Sequence, residues 1–343
     1  MSEATMRAVL MDGFGGPEVL RLGEAPRPQA APGQVLIRVA ATAVNRADMQ
    51  QRSGNYPPPP GESEILGLEV AGVIAEVGEG VSGWQPGDRV MTLVGGGGYA
   101  EYAVAPASTL MPVPDGLDMT QAAAITEVWI TAYLNVFREA ALQPGETLLL
   151  HGGASGVATA AIQLAKALGP SPVIVTVGSR EKADACRALG ADHAILYKDE
   201  DFSKRVLELT EGKGADVILD HIGAKYLEPN LACLALYGRL VIIGLLGGAR
   251  AELNIGRLMV KRQRVIGSVL RARPVEEKAR ITRAFREQVL DRFTTGELKP
   301  VIHAVLPLAE ARQAHELMTA NANTGKLVLQ VDPDVGQGPH RAA

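Results

Sequence analysis

Cysteine is scarce in this sequence, with only Cys186 and Cys233 among 343 residues. Two thiols exclude a disulfide framework and a four-cysteine zinc site, and they favour a reducing cytoplasm as the compartment. No apolar stretch approaches the roughly 18 residues of a membrane span. The first twenty residues also lack the basic start and apolar run of a secretory signal. We therefore expect a cytoplasmic protein with no membrane partner.

Excess positive charge is missing as well, since the formal net charge is −4. This balance argues against nucleic acid as a partner. Apolar residues make up 47% and charged residues 21% of the chain, which is an ordinary balance for a globular protein. A chain of this length suits two domains better than one.

The character of the chain changes near residue 127. Before that point, short alternating segments such as 34–40, punctuated by turns such as Pro86-Gly87-Asp88, predict a compact, mainly β body. After it, short β-branched strands alternate with helical patterns, which predicts a parallel sheet covered on both faces. The predicted fold class is α/β, a doubly wound Rossmann domain beside a mainly β domain.

A glycine-rich turn, His151-Gly-Gly-Ala-Ser-Gly-Val-Ala158, lies between a predicted strand and the predicted helix 155–168. Gly153, Ser155 and Ala158 occupy the three positions of a G-x-G-x-x-G/A pattern, in which small residues let the backbone approach a pyrophosphate at the helix N-terminus. Taken alone, the pattern also fits an ordinary tight turn, but the repeated β-α units around it favour a dinucleotide site. The predicted phosphate contacts are Gly153, Ala154, Ser155, Gly156 and Val157.

The second predicted strand of this domain indicates which nicotinamide binds. NAD sites place an acidic residue at the end of that strand, on the ribose 2′-hydroxyl, and this chain has Gly178 there. Ser179, Arg180 and Lys182 offer a hydroxyl and two cations for a 2′-phosphate. Tyr197, which ends the next strand, is predicted to close the pocket. We therefore predict NADPH as the cofactor, the alternative being that the two cations are merely solvated.

Several motifs together resemble the medium-chain dehydrogenase/reductase family, in its zinc-free, zeta-crystallin-like quinone oxidoreductase branch. They are Val44-Asn-Arg-Ala-Asp48, Gly67-Leu-Glu-Val-Ala-Gly72, Gln121-Ala-Ala-Ala124, the glycine turn, Ile218-Leu-Asp220 and Asn323-Thr-Gly-Lys326. The resemblance extends from about Met6 to Leu329 and departs from the family at Ala158, where glycine is usual.

The resemblance implies a GroES-like catalytic domain from residues 1–126 and 273–343, a Rossmann NADPH-binding domain from 127–272, and a cleft between them. It also implies a homodimer paired through the strand near Val265–Leu270. Relatives that use zinc have a cysteine at the position of Asn45 and a histidine at that of Leu68. With neither ligand present, Glu69 alone cannot hold a catalytic metal, and we predict no metal site.

Two residues are predicted to carry the chemistry. The Asn45 amide is placed by the resemblance near the nicotinamide, where it can hydrogen-bond an oxygen that gains charge as hydride arrives. Tyr56, beside a proline run, is predicted to donate a proton or to stack on a quinone ring. The alternatives are an asparagine that caps a turn and a tyrosine that is only packed.

The remaining predicted cofactor contacts come mostly from the resemblance. For Asn323 and Lys326 the alternative is an ordinary surface loop. The set consists of Thr131 on the linking helix, Gly244, Leu245 and Leu246 after a strand, Ser268, Val269 and Leu270 near the nicotinamide, and Asn323 with Lys326 in the C-terminal segment.

The absence of zinc ligands bears on the acceptor. A simple carbonyl needs a Lewis acid or a proton relay to accept hydride, whereas a quinone is already electron-poor. We therefore predict an NADPH-dependent quinone oxidoreductase. Two alternatives stay open, namely an NADPH-dependent reductase of enones or 2-alkenals with the same fold, and a non-catalytic NADPH-binding protein.

Overall fold

The computed structural model describes residues 4–336. Its strands are β1 (Thr5–Met11), β2 (Leu20–Pro26), β3 (Gln34–Ala43), β4 (Glu69–Val77), β5 (Arg89–Leu93), β6 (Tyr102–Pro106), β7 (Met111–Pro112), β8 (Leu148–Leu150), β9 (Val173–Val177), β10 (His193–Leu196), β11 (Ala215–Asp220), β12 (Leu234–Ile242), β13 (Arg264–Gly267), β14 (Ile302–Pro307) and β15 (Lys326–Gln330).

The α-helices are α1 (Arg46–Arg52), α2 (Met119–Ala123), α3 (Thr126–Tyr133), α4 (Gly156–Ala167), α5 (Arg180–Ala188), α6 (Phe202–Leu209), α7 (Ala224–Cys233), α8 (Ile255–Val260), α9 (Val275–Phe285), α10 (Asp291–Thr294) and α11 (Ala311–Thr319). Two π-helical segments, Leu134–Glu139 and Arg286–Leu290, extend α3 and α9. No helix in the described part of the chain is long and apolar enough to cross a membrane.

The chain forms two compact units, one from Met1–Ile130 with Leu270–Ala343 and the other from Thr131–Val269. The first unit contains a seven-stranded sheet in the order β14-β15-β3-β4-β5-β7, with β6 also paired to β3, and a separate β1-β2 pair. β15 lies antiparallel to β3, with Val328 opposite Ala43, so the late part of the chain completes the sheet begun by the early part.

Burial explains why β3 occupies the middle of this sheet. Nearly all its side chains are buried, with Arg38 as the exposed exception, so its backbone N–H and C=O groups are also shielded from water and need partners along both edges. The core around it is aliphatic and joins strands from both chain ends, through residues such as Val39, Val70, Leu327 and Leu329.

The second unit is a six-stranded parallel sheet in the order β10-β9-β8-β11-β12-β13. Numbered within the unit, this order is 3-2-1-4-5-6, the doubly wound nucleotide-binding arrangement. The predicted α/β fold class is therefore confirmed. The carboxyl ends of β8, β9 and β10 all reach one edge of the sheet, which brings the glycine turn close to the residues that follow β9 and β10.

Local details differ in part from the sequence-based expectations. The predicted helix 155–168 is observed as Gly156–Ala167, because Ser155 caps it and Gly169 follows its end. The strand expected over 265–270 ends at Gly267, so Ser268, Val269 and Leu270 lie outside it. The backbone N–H of Ser268 still bonds the carbonyl of Ile242, at 3.0 Å, beyond the regular pairing.

Candidate active site

The glycine turn of the second unit is held in a shape that larger residues cannot adopt. A Cβ on Gly153 would lie 2.6 Å from Cβ of Val175, and one on Gly152, whose φ is +56°, would lie 2.6 Å from the His221 ring. The Gly153 N–H donates to the Thr176 carbonyl at 2.9 Å, which ties the turn to β9. The backbone of the turn therefore runs flush against the sheet edge.

Helix α4 starts directly from this turn. Ser155 is its N-cap, and its hydroxyl oxygen accepts from the N–H of Ala158 at 3.3 Å. The serine hydrogen stays available to donate to a ligand oxygen. Ala158, the departure from the usual glycine, is buried inside the first turn of the helix. The first N–H groups of a 12-residue helix, here from Gly156 onward, provide the fixed dipole that a pyrophosphate requires.

The predicted 2′-phosphate residues meet at the ends of β9 and β10. A Cβ on Gly178 would lie 2.9 Å from Oη of Tyr197, so the glycine makes room for the tyrosine. Ser179 caps α5 and accepts from the N–H of Lys182 at 3.4 Å, and Arg180 is exposed. A hydrogen bond from Ser179 lowers the pKa of the exposed Glu181 carboxyl, which keeps one negative charge beside the group.

For the other predicted cofactor contacts of this unit, the structure shows mainly how buried each side chain is. Gly244 packs against His221, while the side chains of Leu245 and Leu246 are about half exposed after β12. Ser268 is buried and Val269 is exposed. The half-buried Thr131 lies in α3, where its carbonyl accepts from the Asn135 amide at 2.8 Å.

His151, which opens the glycine turn in sequence, points into the core. It makes hydrogen bonds with the Thr176 hydroxyl at 3.0 Å and the Asn230 amide oxygen at 2.6 Å. Burial lowers the pKa of His151 to about 3, so the imidazole is neutral and supports the turn from beneath.

The first unit contains a cluster of charged and polar side chains, which we call the acid cluster: Asn45, Asp48, Tyr56, Glu69, Thr126, Glu127, Arg271 and Lys326. At its centre the buried Glu69 carboxylate accepts from Lys326 Nζ at 2.8 Å and from Asn45 Nδ2 at 3.0 Å. Its other oxygen accepts from the Thr126 hydroxyl at 3.0 Å and from the Glu127 N–H at 2.8 Å. Both oxygens of the Glu69 carboxyl group are therefore fully bonded within the protein.

Both hydrogens of the Asn45 amide are used within the protein. One is donated to the Ala43 carbonyl at 3.2 Å and the other to Glu69, while the amide oxygen accepts from Lys326 at 2.7 Å. The predicted donation to a substrate oxygen therefore has no hydrogen left in this arrangement. Asn45 also begins α1, where its N–H donates to Asp48 at 2.7 Å.

Lys326 was expected at the cofactor and is found buried. Its ammonium donates to the Val44 carbonyl at 2.9 Å, to Asn45 and to Glu69, which accounts for its three hydrogens. All three hydrogens are therefore donated to oxygens within the protein. The half-buried Asn323 turns its amide back to the Gly325 carbonyl at 2.7 Å.

Arg271 fixes the loop that contains Tyr56. Its guanidinium donates to the Gly95 carbonyl at 2.8 Å and to the Gln51 amide oxygen at 2.8 Å, and it lies 5.3 Å from the centre of the Tyr56 ring. Burial raises the pKa of the Tyr56 phenol. The residue is half-buried, so part of it stays accessible.

A buried chain of hydrogen bonds supports the acid cluster from behind. Arg52 bonds His315 Nδ1 at 2.9 Å, Tyr99 bonds His315 Nε2 at 3.1 Å, and the Tyr99 hydroxyl donates to Asp48 at 3.0 Å. Because a guanidinium can only donate, the histidine hydrogen lies on Nε2 and every bond in the chain points toward Asp48. Burial raises the pKa of Asp48 to about 6 and lowers that of His315 to about 3.

Asp48, Thr126, Glu127 and Arg271 were not among the residues predicted from the sequence. Glu127 is an acid in a mainly apolar segment and Arg271 directly follows an apolar run, and a charge in such a place is the signal that would have identified these two. Asp48 lies among polar and charged neighbours, and its sequence gives no such signal. Within residues 4–336 no group of three or more His, Cys, Asp or Glu side chains is arranged to hold a metal ion.

Two protein-family descriptions match the chain. Residues 31–115 match the alcohol dehydrogenase GroES-like domain, and residues 156–287 match the zinc-binding dehydrogenase domain. The quinone oxidoreductase of Rattus norvegicus is 35% identical over 329 residues, which cover 94% of this chain and 97% of that protein.

Solved structures agree with this picture. The Escherichia coli quinone oxidoreductase complexed with NADPH is 30% identical, with a TM-score of 0.84 and coverage of 96% of this chain and 100% of the other. A structure described as an NAD-dependent alcohol dehydrogenase is 36% identical, also with a TM-score of 0.84, and covers 95% of this chain and 100% of its own.

Proposed function

Because this chain belongs to the medium-chain dehydrogenase/reductase family, in its quinone oxidoreductase branch, we propose that it is an NADPH-dependent quinone reductase that works without a metal. One observation carries the proposal. The end of β9 has glycine where a carboxylate would select NADH, and Tyr197 fills the space that the missing side chain leaves.

The residues present fit a dinucleotide. The flush glycine turn and the N-terminus of α4 form a cradle for the pyrophosphate, and Ser155 adds a hydroxyl donor. Arg180 and Lys182 bring two cations to the position of a 2′-phosphate, with the Tyr197 ring beside them. When bound, the nicotinamide supplies hydride to an electron-poor acceptor.

In the first unit the half-buried Tyr56 supplies the aromatic ring on which a quinone would stack. Arg271 donates to the Tyr56 carbonyl at 3.4 Å and its guanidinium lies over the Tyr56 ring, which limits the loss of freedom when a substrate stacks there. Asn45, Glu69 and Lys326 keep the neighbouring backbone rigid because each bonds the other two.

The test is a comparison of cofactors and acceptors with the wild-type protein. We expect kcat/KM for NADPH to exceed that for NADH by at least about tenfold, a difference of about 1.4 kcal/mol in transition-state stabilisation. We also expect 1,2-naphthoquinone and benzoquinone to be reduced faster than 2-alkenals. Preference for NADH would refute the cofactor assignment, and turnover of enones alone would make the protein an enone reductase. Tight NADPH binding without any turnover would identify a non-catalytic binding protein.

We also propose a homodimer formed through the edge strand β13. This strand is the last of the six-stranded sheet. Exposed apolar side chains occur in the strand and in the segment just before it in sequence: Ile255, Met259 and Val260 are about 70% exposed, and Val265 is 40% exposed. An unpaired edge beside such a surface favours pairing with a second copy.

The dimer is tested by placing a charge on that edge. Val265→Lys is expected to shift the protein from dimer to monomer at micromolar concentration in sedimentation velocity, because a lysine on an edge strand opposes pairing. Leu22→Lys, which changes an equally exposed leucine of the first unit, is the control and should leave the mass unchanged. A monomeric wild-type protein, or a dimeric Val265→Lys variant, would contradict the proposal.

A further inference from the structure

The acid cluster contains two carboxyl groups in unequal surroundings. Glu69 receives four donors, one of them an ammonium, and its charge is therefore well stabilised. Glu127, in the first turn of α3, has only its backbone N–H bonded to that carboxylate. Its half-buried side chain lies close enough to Glu69 for the two charges to repel. Of the two carboxyl groups, Glu127 is therefore the one whose charged form has no donor to stabilise it.

The groups that face Glu127 do not change this outcome. The anions are Glu69 and Asp48, and the cations are Lys326 and Arg271. Lys326 has donated all three hydrogens elsewhere, and the hydrogen bonds of Arg271 go to neutral oxygens. In the described range 4–336 no hydrogen bond or ion pair reaches the Glu127 carboxyl. Burial, followed by the charge of Glu69, raises its pKa to about 8, so it is mostly protonated at pH 7.

Reduction of a quinone needs a proton as well as hydride, and Asn45 and Tyr56, the two residues predicted to carry the chemistry, supply it poorly. Both Asn45 amide hydrogens are already donated. Tyr56, whose pKa is raised above that of an ordinary phenol, is a weak acid near neutral pH. An acid is most effective when its pKa lies near the working pH, which is the condition that Glu127 meets.

We propose that Glu127 is the general acid of the reaction, donating its carboxyl proton to the acceptor oxygen that becomes negative as hydride arrives. This assignment rests on the proposed quinone reductase function. The quinone gains two electrons and one proton as hydride, and the Glu127 O–H bond breaks as the new O–H bond of the hydroquinone forms. The carboxylate left on Glu127 then takes a proton from the solvent, which restores the acid for the next turnover.

The kinetic test uses the pH dependence of kcat. Wild-type kcat is expected to be flat below about pH 8 and to fall above it, because the acid is then deprotonated. Glu127→Gln is expected to lower kcat about 100-fold and to abolish both that fall and the solvent deuterium isotope effect. Glu127→Asp is expected to keep the fall but move it to lower pH, since aspartate is the stronger acid. Glu79→Gln, which changes an exposed carboxyl of the same unit, is the control.

The second readout does not depend on turnover. Infrared spectroscopy of the wild-type protein at pH 7 is expected to show a protonated-carboxyl band that disappears by pH 9 and is missing in Glu127→Gln. Absence of that band, or a Glu127→Gln variant with wild-type kcat and pH profile, would overturn the proposal. If Glu127→Gln does not fold, the shifted profile and shifted band of Glu127→Asp decide. A band present in a protein that reduces no quinone would instead refute the proposed function.

Discussion

Lys326→Met is expected to destabilise the first unit by about 3–5 kcal/mol, the usual cost of removing one partner from a buried ion pair. The Lys326 and Glu69 side chains are 4% and 0% exposed, so loss of the ammonium leaves a buried carboxylate without its cation. Asn45 loses a hydrogen-bond donor at the same time. The effect should therefore exceed that of any surface charge in the molecule.

Fluorescence can measure this change in the first unit alone. The two tryptophans of the chain, Trp84 and Trp129, both lie there, so denaturant unfolding followed by tryptophan emission reports that unit. Arg21→Met, which removes the exposed ion pair with Asp12 at 2.8 Å in the same unit, is the control and should change stability by less than about 1 kcal/mol. Glu69→Gln combined with Lys326→Met should recover part of the loss, because the uncompensated charge is gone. An unchanged unfolding midpoint in Lys326→Met would show that the pair contributes nothing.

Gly178→Asp is expected to weaken NADPH binding at least about 100-fold, a cost of about 2.7 kcal/mol. Two causes add. The new Cβ would lie 2.9 Å from Oη of Tyr197 and displace the ring, and the carboxylate would repel the 2′-phosphate. NADH, which has no 2′-phosphate, should lose much less affinity, so the preference between the two cofactors should reverse.

Gly178→Ala separates the two causes, since it adds the Cβ without the charge. Titration calorimetry measures the dissociation constants of NADPH and NADH for each variant. The alanine variant should weaken the two cofactors to a similar extent, and only the aspartate variant should change their ratio. Equal losses for NADPH and NADH in Gly178→Asp would mean that the phosphate does not lie at the end of β9.

The fold class could be predicted from the sequence because it depends on the order of strand and helix patterns along the chain. Repeated β-branched segments separated by helical ones have few stable arrangements other than a covered parallel sheet. The glycine turn could also be predicted, because small residues between a strand and a helix fit few conformations other than a tight turn. The observed bounds of α4 differ from the predicted ones by one residue at each end.

The contacts within the acid cluster could not be predicted from the sequence. Asn45 was singled out as a donor, yet its hydrogens belong to Ala43 and Glu69, and the second of these lies 24 residues away in sequence. Lys326 was expected at the cofactor because the motif around it suggested a contact, whereas its partners come from a part of the chain about 280 residues earlier. Hydrogen-bond occupancy is a property of the folded neighbourhood, which residue type and spacing do not determine.

The pairing of β15 with β3 has a consequence for biosynthesis. The N-terminus of a chain emerges first from the ribosome. The second unit, Thr131–Val269, is therefore complete while the first unit still lacks its last strands. Throughout that interval Glu69 has no ammonium, and the edge of β3 that later receives Val328 is unpaired. A nascent chain is therefore most vulnerable to aggregation and proteolysis just before Lys326 emerges. Stalled translation at that stage is expected to yield a folded second unit attached to a first unit whose seven-stranded sheet still lacks β15.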